Sequence, residues 1–309
     1  MKQQASAKQL YALLFAMPKG ADLHVHLSGC GTPADWYELA TGNGAFWVRA
    51  VPTGCGHDQR SGPVTIRRAA LQNLPGCCQA GWVPLGSLTD QQRHAWAARL
   101  SLQHPHLDPT RFFHVTGELK HLRKDPVLLE ALLLRVLRRA AAEGVRYLEV
   151  QTGPFGYVDA AGEPEPVAEM VQRYRHVLDS PAARATGVTT RLVVNVSRTV
   201  PDVRQRLRTS FAMASRHPDV WVGVQLSGQE DQASCSLDQL RSVYGSLRQR
   251  YPMVRVAVHA GEGFGDGNRV AGAVAVGARR IGHGLNLIHE PDTVARVRDA
   301  GLAVEVSMG

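Results

Sequence analysis

The 309-residue chain has no apolar stretch approaching the ~18 residues needed to cross a bilayer. Its short run Leu10–Met17 has neither a basic segment of any length before it nor a small-residue cleavage site, so no membrane partner and no secretory leader are expected. Cysteine is scarce. The five residues Cys30, Cys55, Cys77, Cys78 and Cys235 are odd in number, and the adjacent pair has no metal-finger spacing. That argues against a disulfide framework and for reduced thiols and a cytoplasmic address. Also absent are a Ser/Gly linker, a long charge run, an internal repeat and a low-complexity tract. What is present, 44% hydrophobic and 20% charged residues, excludes disorder and collagen-like chains. The reading is one barrel-sized domain over 1–309 with a long insertion. The net charge of +8 is spread as local pairs such as Arg67–Arg68, Arg138–Arg139 and Arg279–Arg280. Solvated helix faces account for such pairs, so no nucleic-acid partner is expected.

From residue 126 onward, strand-like and helix-like segments alternate, the pattern of βα units around a parallel sheet. Segments 145–150, 190–196, 220–226, 254–259 and 302–306 are short, nearly continuous apolar runs rich in β-branched residues, as strands covered on both faces should be. Segment 279–283 is a weaker strand candidate, and 21–27, after an amphipathic stretch ending at Pro18, is another. Helices are expected over 126–143, 201–216, 236–250 and 291–300, mostly with proline at the start and glycine or proline at the stop. That makes seven strands, with no room for an eighth. Residues 28–125, rich in Gly, Pro, Trp and Cys and without a sustained period, break the rhythm. They read as an insertion after the first strand, carrying short helices of its own and placed as a lid over the strands' C-terminal ends. Trp36, Phe46, Trp47 and Trp82 in it could stack on a ligand or form its small core, and none is assigned a role.

Chemistry-bearing residues gather at the predicted strand ends. His24 and His26 are two apart on a strand, so the pleat points both imidazoles to one face, within reach of one metal ion. A His-x-His pair is also what core or surface histidines leave. His259-Ala-Gly-Glu262 sets an imidazole at the end of another strand and a carboxylate just beyond it. Gly282-His283-Gly284 holds a histidine between two glycines after the next βα unit, the signature of a turn as much as of a site. Jointly, three strand ends delivering four histidines and a glutamate point to hydrolysis at a single metal ion.

The segments Met17–Gly29 (MPKGADLHVHLSG), Val222–Glu230 (VGVQLSGQE), Val258–Glu262 (VHAGE) and Arg280–Gly284 (RIGHG) resemble, in order and spacing, the strand-end motifs of the adenosine deaminase family. The resemblance covers about 15–30 and 126–309. It implies a (β/α)8 TIM barrel of the metal-dependent hydrolase type, one Zn2+ per chain, and removal of a purine 6-amino group. Carried over by position, His24, His26 and His259 would be metal ligands. Glu262 would be the proton donor to the ring, and His283 the group that orients or deprotonates water. His26, Ser28 and Gly228 would face the substrate, Gly228 through its backbone. Glu262 can donate at neutral pH only if its pKa is raised, which calls for an enclosed carboxyl. His283 should stay neutral beside a cation.

Two departures from the family pattern stand out. Ser28 replaces an aspartate that many members use on the sugar, as in the branch that resembles secreted adenosine deaminase growth factors. The sequence given also ends at Gly309, within what would be the seventh strand-loop, ahead of the family's closing strand and helix and its Asp-Asp pair, so an incomplete barrel is expected. Without 28–125, the chain is near the low end of the ~200 residues that eight βα units need. The first reading is a zinc-dependent deaminase whose partner is adenosine or 2'-deoxyadenosine. The alternatives are a non-catalytic nucleoside-binding descendant and a deaminase of adenine, AMP or a modified nucleoside. Oligomeric state is not written in the sequence.

Overall fold

In the computed structural model, residues 6–17, 19–49, 65–101, 115, 117–230, 234–262 and 269–306 are described. Helix α1 (Ala7–Ala16) starts from a capping box, the Ser6 hydroxyl accepting from Gln9 N–H. Its apolar residues Tyr11, Leu13, Leu14 and Phe15 are exposed, so its amphipathic pattern does not correspond to a buried face here. Strand β1 (Gly20–His26) follows and runs into a single 3-10 turn, Leu27–Gly29.

The interval that lacks a sequence period holds helix α2 (Pro33–Asn43), strands β2 (Phe46–Arg49), β3 (Thr65–Arg67) and β4 (Trp82–Pro84), single-turn helices, and helix α3 (Asp90–Arg99). The three strands form a small antiparallel sheet in the order β3-β2-β4, an element that the sequence reading does not foresee. Residues 50–64 and 102–114 of this interval lie outside the described residues. The helix starts are capping boxes, Thr32 with Asp35 and Thr89 with Gln92. No periodicity accompanies them because each helix buries so little: Asp35, Trp36 and Ala40 in α2, and Trp96 in α3. Trp36, Phe46 and Trp82 are buried in core clusters. Cys30 and Cys235 are free thiols, but Cys78 is disulfide-bonded, which corrects the expectation of wholly reduced cysteines.

From helix α4 (Pro126–Ala142) onward, the chain follows the expected alternation. Asp125 caps α4 by accepting from Val127 and Leu128 N–H at 2.9 and 3.1 Å, Pro126 opens it, and Gly144 in the left-handed region follows its end. The stripe Leu128, Leu129, Leu132, Leu133, Val136, Leu137 and Ala140 is buried. Asp35 on α2 pairs with Arg135 and Arg139 of α4, docking α2 on the barrel's flank.

Strands β5 (Val145–Thr152), β6 (Thr189–Ser197), β7 (Trp221–Ser227), β8 (Arg255–Ala260), β9 (Arg280–His283) and β10 (Ala303–Glu305) alternate with helices α5 (Val167–Asp179), α6 (Val203–Arg216), α7 (Leu237–Arg250), α8 (Arg269–Ala275) and α9 (Pro291–Asp299). The sheet is all parallel in the order β1-β5-β6-β7-β8-β9-β10, seven strands of a nearly closed α/β barrel. Its β-branched runs are covered on both faces, as the burial of β6, β7 and β8 shows. The sequence reading names no helix at α5 or α8. The stripe Met170, Val171, Tyr174 and Val177 of α5 is legible in retrospect. Helix α8 spans seven residues, too few to show a period, and they are almost all small or apolar, with no polar face to contrast with a buried one.

Candidate active site

The strands of the parallel sheet all end on one edge, and the curvature of the nearly closed barrel brings the ends of β1, β8 and β9 together, each carrying histidine. His24 and His26 share the inner face of β1, their ring centroids 5.5 Å apart. His259 on β8 lies 4.8 Å from His24 and 5.0 Å from His26, again between centroids. Ligand nitrogens of these three all fall within 4.8 Å of one another, and the Nε2 atoms of His26 and His259 stand 2.9 Å apart. Two nitrogens bound to one tetrahedral zinc at 2.0–2.1 Å lie ~3.3 Å apart, so these separations bracket what a shared ion requires. Burial drives the pKa of His26 down to about 3, with help from His24 and His283, and that of His259 well below its usual value for the same leading reason. The neutral imidazole is the state that ligates. On donor type, convergence and protonation state, the residues fit a divalent metal ion.

Glycine makes room for this cluster. A Cβ on Gly282 would stand 2.7 Å from Cε1 of His24 and 3.2 Å from Nδ1 of His259. Gly284 has φ 62°, and a side chain there would meet Cγ1 of Val304 at 2.8 Å. Between them, His283 sits in the left-handed region at φ 73°, a conformation that costs energy for a non-glycine residue. The two glycines of the Gly-His-Gly motif therefore each have a steric reason, while His283 between them carries backbone strain.

Glu262 follows Gly261, whose φ is 69°. Its Oε1 lies 3.6 Å from Nε2 of His283. The expected enclosed carboxyl is only partly realised, since the Glu262 side chain keeps 40% of its surface exposed. Partial burial raises its pKa, and the like charge of Glu230 adds to the rise. His283 is pushed down to about 4 by burial and then by His24, while Glu305 opposes the shift. Its Nε2 is buried without a hydrogen-bond partner among the described residues. Ser28 lies half-buried in the 3-10 turn just past His26. Gly228, directly after β7, has φ 98°, and any side chain on it would meet Oγ of Ser197 at 2.8 Å.

Further residues that the sequence does not mark out support the site. Glu305 Oε2 contacts Nδ1 of His24 at 2.8 Å, and Glu305 Oε1 is 3.1 Å from Arg280 Nε. Arg280 reaches Glu149 at 2.5 Å, and Glu149 accepts from the Tyr147 hydroxyl at 2.8 Å. The Gln225 carboxamide meets Nδ1 of His259, and the buried Arg198 guanidinium donates to the carbonyls of His259 and Ser227. Such outer partners fix the ring orientation of ligating histidines. Glu230 reaches the main chain of the Gly261–Glu262 turn. A polar or charged residue inside an apolar strand, as at Gln225 and Glu305, is the signal that could have found two of them.

A parallel α/β barrel with convergent histidines at the C-terminal strand edge defines a class, the barrel hydrolases of metal-dependent type. The adenosine deaminase family model matches residues 88–308. An adenine deaminase of Aspergillus fumigatus is 27% identical over 297 residues, covering 96% of this chain and 71% of that protein. An adenosine deaminase of Lutzomyia longipalpis is 24% identical over 319 residues, covering 97% of this chain and 61% of that protein. Among solved structures, an amidohydrolase from Burkhoderia ambifaria with bound Zn superposes with a TM-score of 0.65 at 22% identity, covering 98% of this chain and 68% of that one. The chain belongs to the adenosine deaminase family, and so to the hydrolases that act on C–N bonds of cyclic amidines.

Proposed function

We propose that this chain hydrolyses the 6-amino group of adenosine or 2'-deoxyadenosine, releasing ammonia and leaving the 6-oxopurine nucleoside, with one zinc ion held by His24, His26 and His259. The observation that carries the reading is the convergence of those three histidines beside the Glu262–His283 pair, whose pKa values move in the directions the chemistry needs, Glu262 up and His283 down. Zinc in that position supplies acidity to water, lowering its pKa from 15.7 toward about 7. His283, neutral and with Nε2 unpartnered among the described residues, accepts the proton of the attacking water and orients it. Glu262, in its protonated form, donates to the purine ring nitrogen, so that electron density displaced from C6 is accommodated in the ring. The backbone of Gly228, free of any side chain, comes close to the purine edge, and His26 and Ser28 face the substrate.

A second reading has an observation of its own. Ser28 offers a hydroxyl and no charge where the substrate's sugar would be held, and the Aspergillus relative is an adenine deaminase, so the free base adenine is the competing substrate. Ammonia release from adenosine, 2'-deoxyadenosine, adenine and AMP by the zinc-supplemented chain separates the two readings. Turnover of nucleosides over adenine is expected, with Glu262→Ala lowering kcat by about 10²–10⁴-fold, the usual worth of a general acid, at unchanged zinc content. Zinc and adenosine binding without ammonia from any of the four would overturn the enzyme reading in favour of a nucleoside-binding role.

A further inference from the structure

The turn that carries Glu262 is held by a second carboxylate. Strand β8 ends at Ala260, and with it the ladder that pairs backbone N–H groups. The next two N–H groups, of Gly261 and Glu262, go to the two oxygens of one side chain: Oε2 of Glu230 accepts from Gly261 at 3.2 Å and Oε1 accepts from Glu262 at 3.3 Å. Glu230 reaches them from the neighbouring strand β7, two residues past the left-handed turn at Gly228. Among the described residues, Leu285 N–H also donates to the Gly261 carbonyl at 2.9 Å, which fixes Gly261 and not Glu262.

We propose that Glu230 is a positioning residue for the reaction, its carboxylate clamping the Gly261–Glu262 main chain and so aiming the Glu262 carboxyl at the substrate ring. The proposal rests on the deaminase reading above. Two charge-assisted bonds to consecutive amides fix both the position and the rotation of a peptide plane, which one bond cannot do. Glu262 stands on a left-handed turn at the end of a strand, half exposed, and a displacement of its carboxyl by about 1 Å is enough to lower proton transfer by about 10²-fold. The charge of Glu230 acts in the same direction, because it disfavours ionisation of its neighbour.

The test compares wild type, Glu230→Ala and Glu230→Gln as zinc-supplemented full chains. Amide hydrogen exchange reads the clamp without reference to turnover. Exchange at Gly261 and Glu262 should quicken about tenfold or more in Glu230→Ala, with the Val256–Ala260 amides and the zinc content unchanged. Glu230→Gln, which keeps one acceptor oxygen and the side-chain shape, should fall between. In turnover, Glu230→Ala should lose about 10–100-fold in kcat with KM nearly constant, and Glu230→Gln should recover part of it. Unchanged exchange at the two amides, or equal loss of protection throughout β8, would overturn the clamp. Quickened exchange with wild-type kcat would overturn its role in the reaction. A wild-type chain that deaminates no purine refutes the deaminase reading, and the exchange experiment then still decides whether the clamp exists.

Discussion

Gly282 is the residue at which the histidine cluster is most tightly specified. It lies between His24 and His259, and a single methyl there would approach Cε1 of His24 to 2.7 Å, closer than real Cβ contacts allow. His24 cannot withdraw freely, because its Nδ1 is engaged by Glu305. Gly282→Ala should therefore weaken zinc binding by at least about tenfold, the scale of disturbing a ligand's outer support, while leaving far-ultraviolet circular dichroism unchanged. Competition with a chelator of known affinity measures it, and wild-type zinc affinity in this variant would show that the cluster tolerates a displaced His24. At this scale the sequence is informative where a residue type is unusual for its place. His24, His26, His259, Glu262 and His283 all sit at strand ends or beside glycines, and they are brought together as that pattern implies. The partners of those residues are harder to see. Glu305 meets His24 across 281 positions of chain, and Gln225 meets His259 across 34, so neither pairing has a local signature.

Elements are legible where a long apolar run or a clear start and stop marks them: α9 buries only Thr293 and Val297 but opens at Pro291 and ends before Gly301, whereas α5, with four buried residues, has neither proline in its first turn nor glycine at its stop and is missed. The parallel strands, covered on both sides, read as β-branched runs, and α4, with its full apolar stripe, reads from Pro126 to one residue past its end. The small β3-β2-β4 sheet does not, since its strands are three or four residues long, too short for alternation to show. Asp125 joins these two regimes. It is fully buried, caps α4, and pairs through its other oxygen with Arg67 at the end of β3, whose guanidinium also donates to the Asp159 carbonyl. Removing the carboxylate would leave a buried guanidinium without its counter-charge, typically about 3–5 kcal/mol, and would also open the helix start, typically about 1 kcal/mol. Asp125→Ala should lower unfolding stability by about that first amount, the two costs not being additive. Asp125→Asn, which retains a capping oxygen, should lose less. Urea unfolding of the three proteins decides the matter, and a loss below about 1 kcal/mol in Asp125→Ala would mean that the Arg67 pair contributes nothing to the fold.

At the scale of the whole molecule, the barrel's interior is polar near its histidines, and that sets how the fold responds to acid. The contacts His24–Glu305, Glu305–Arg280 and Arg280–Glu149 tie β1, β10, β9 and β5 together across the nearly closed sheet. Around them, His26 is held down to about 3 and His283 to about 4, in each case chiefly by burial. Away from the site, His121 is also lowered to about 4 by burial and by Lys120 and Lys124. All three lie below the unfolded value of 6.5. Above pH 6.5 these groups are neutral in both states and do not affect stability. Below it, the unfolded chain takes up protons that the folded chain refuses until about pH 4, so the folded state loses ground steadily between about pH 6.5 and 4. Glu262 works in the opposite sense, since its raised pKa means that the folded state holds a proton that the unfolded chain has released; one half-exposed carboxyl opposes four histidines, His259 being lowered as well. The metal-free chain should therefore show a urea midpoint that falls from pH 7 to pH 5, with a shallower fall in His121→Gln, which removes one refused proton without touching the cluster. A midpoint that is flat over that interval, or a His121→Gln slope equal to wild type, would show that these imidazoles take up protons in the folded barrel as readily as in the unfolded chain.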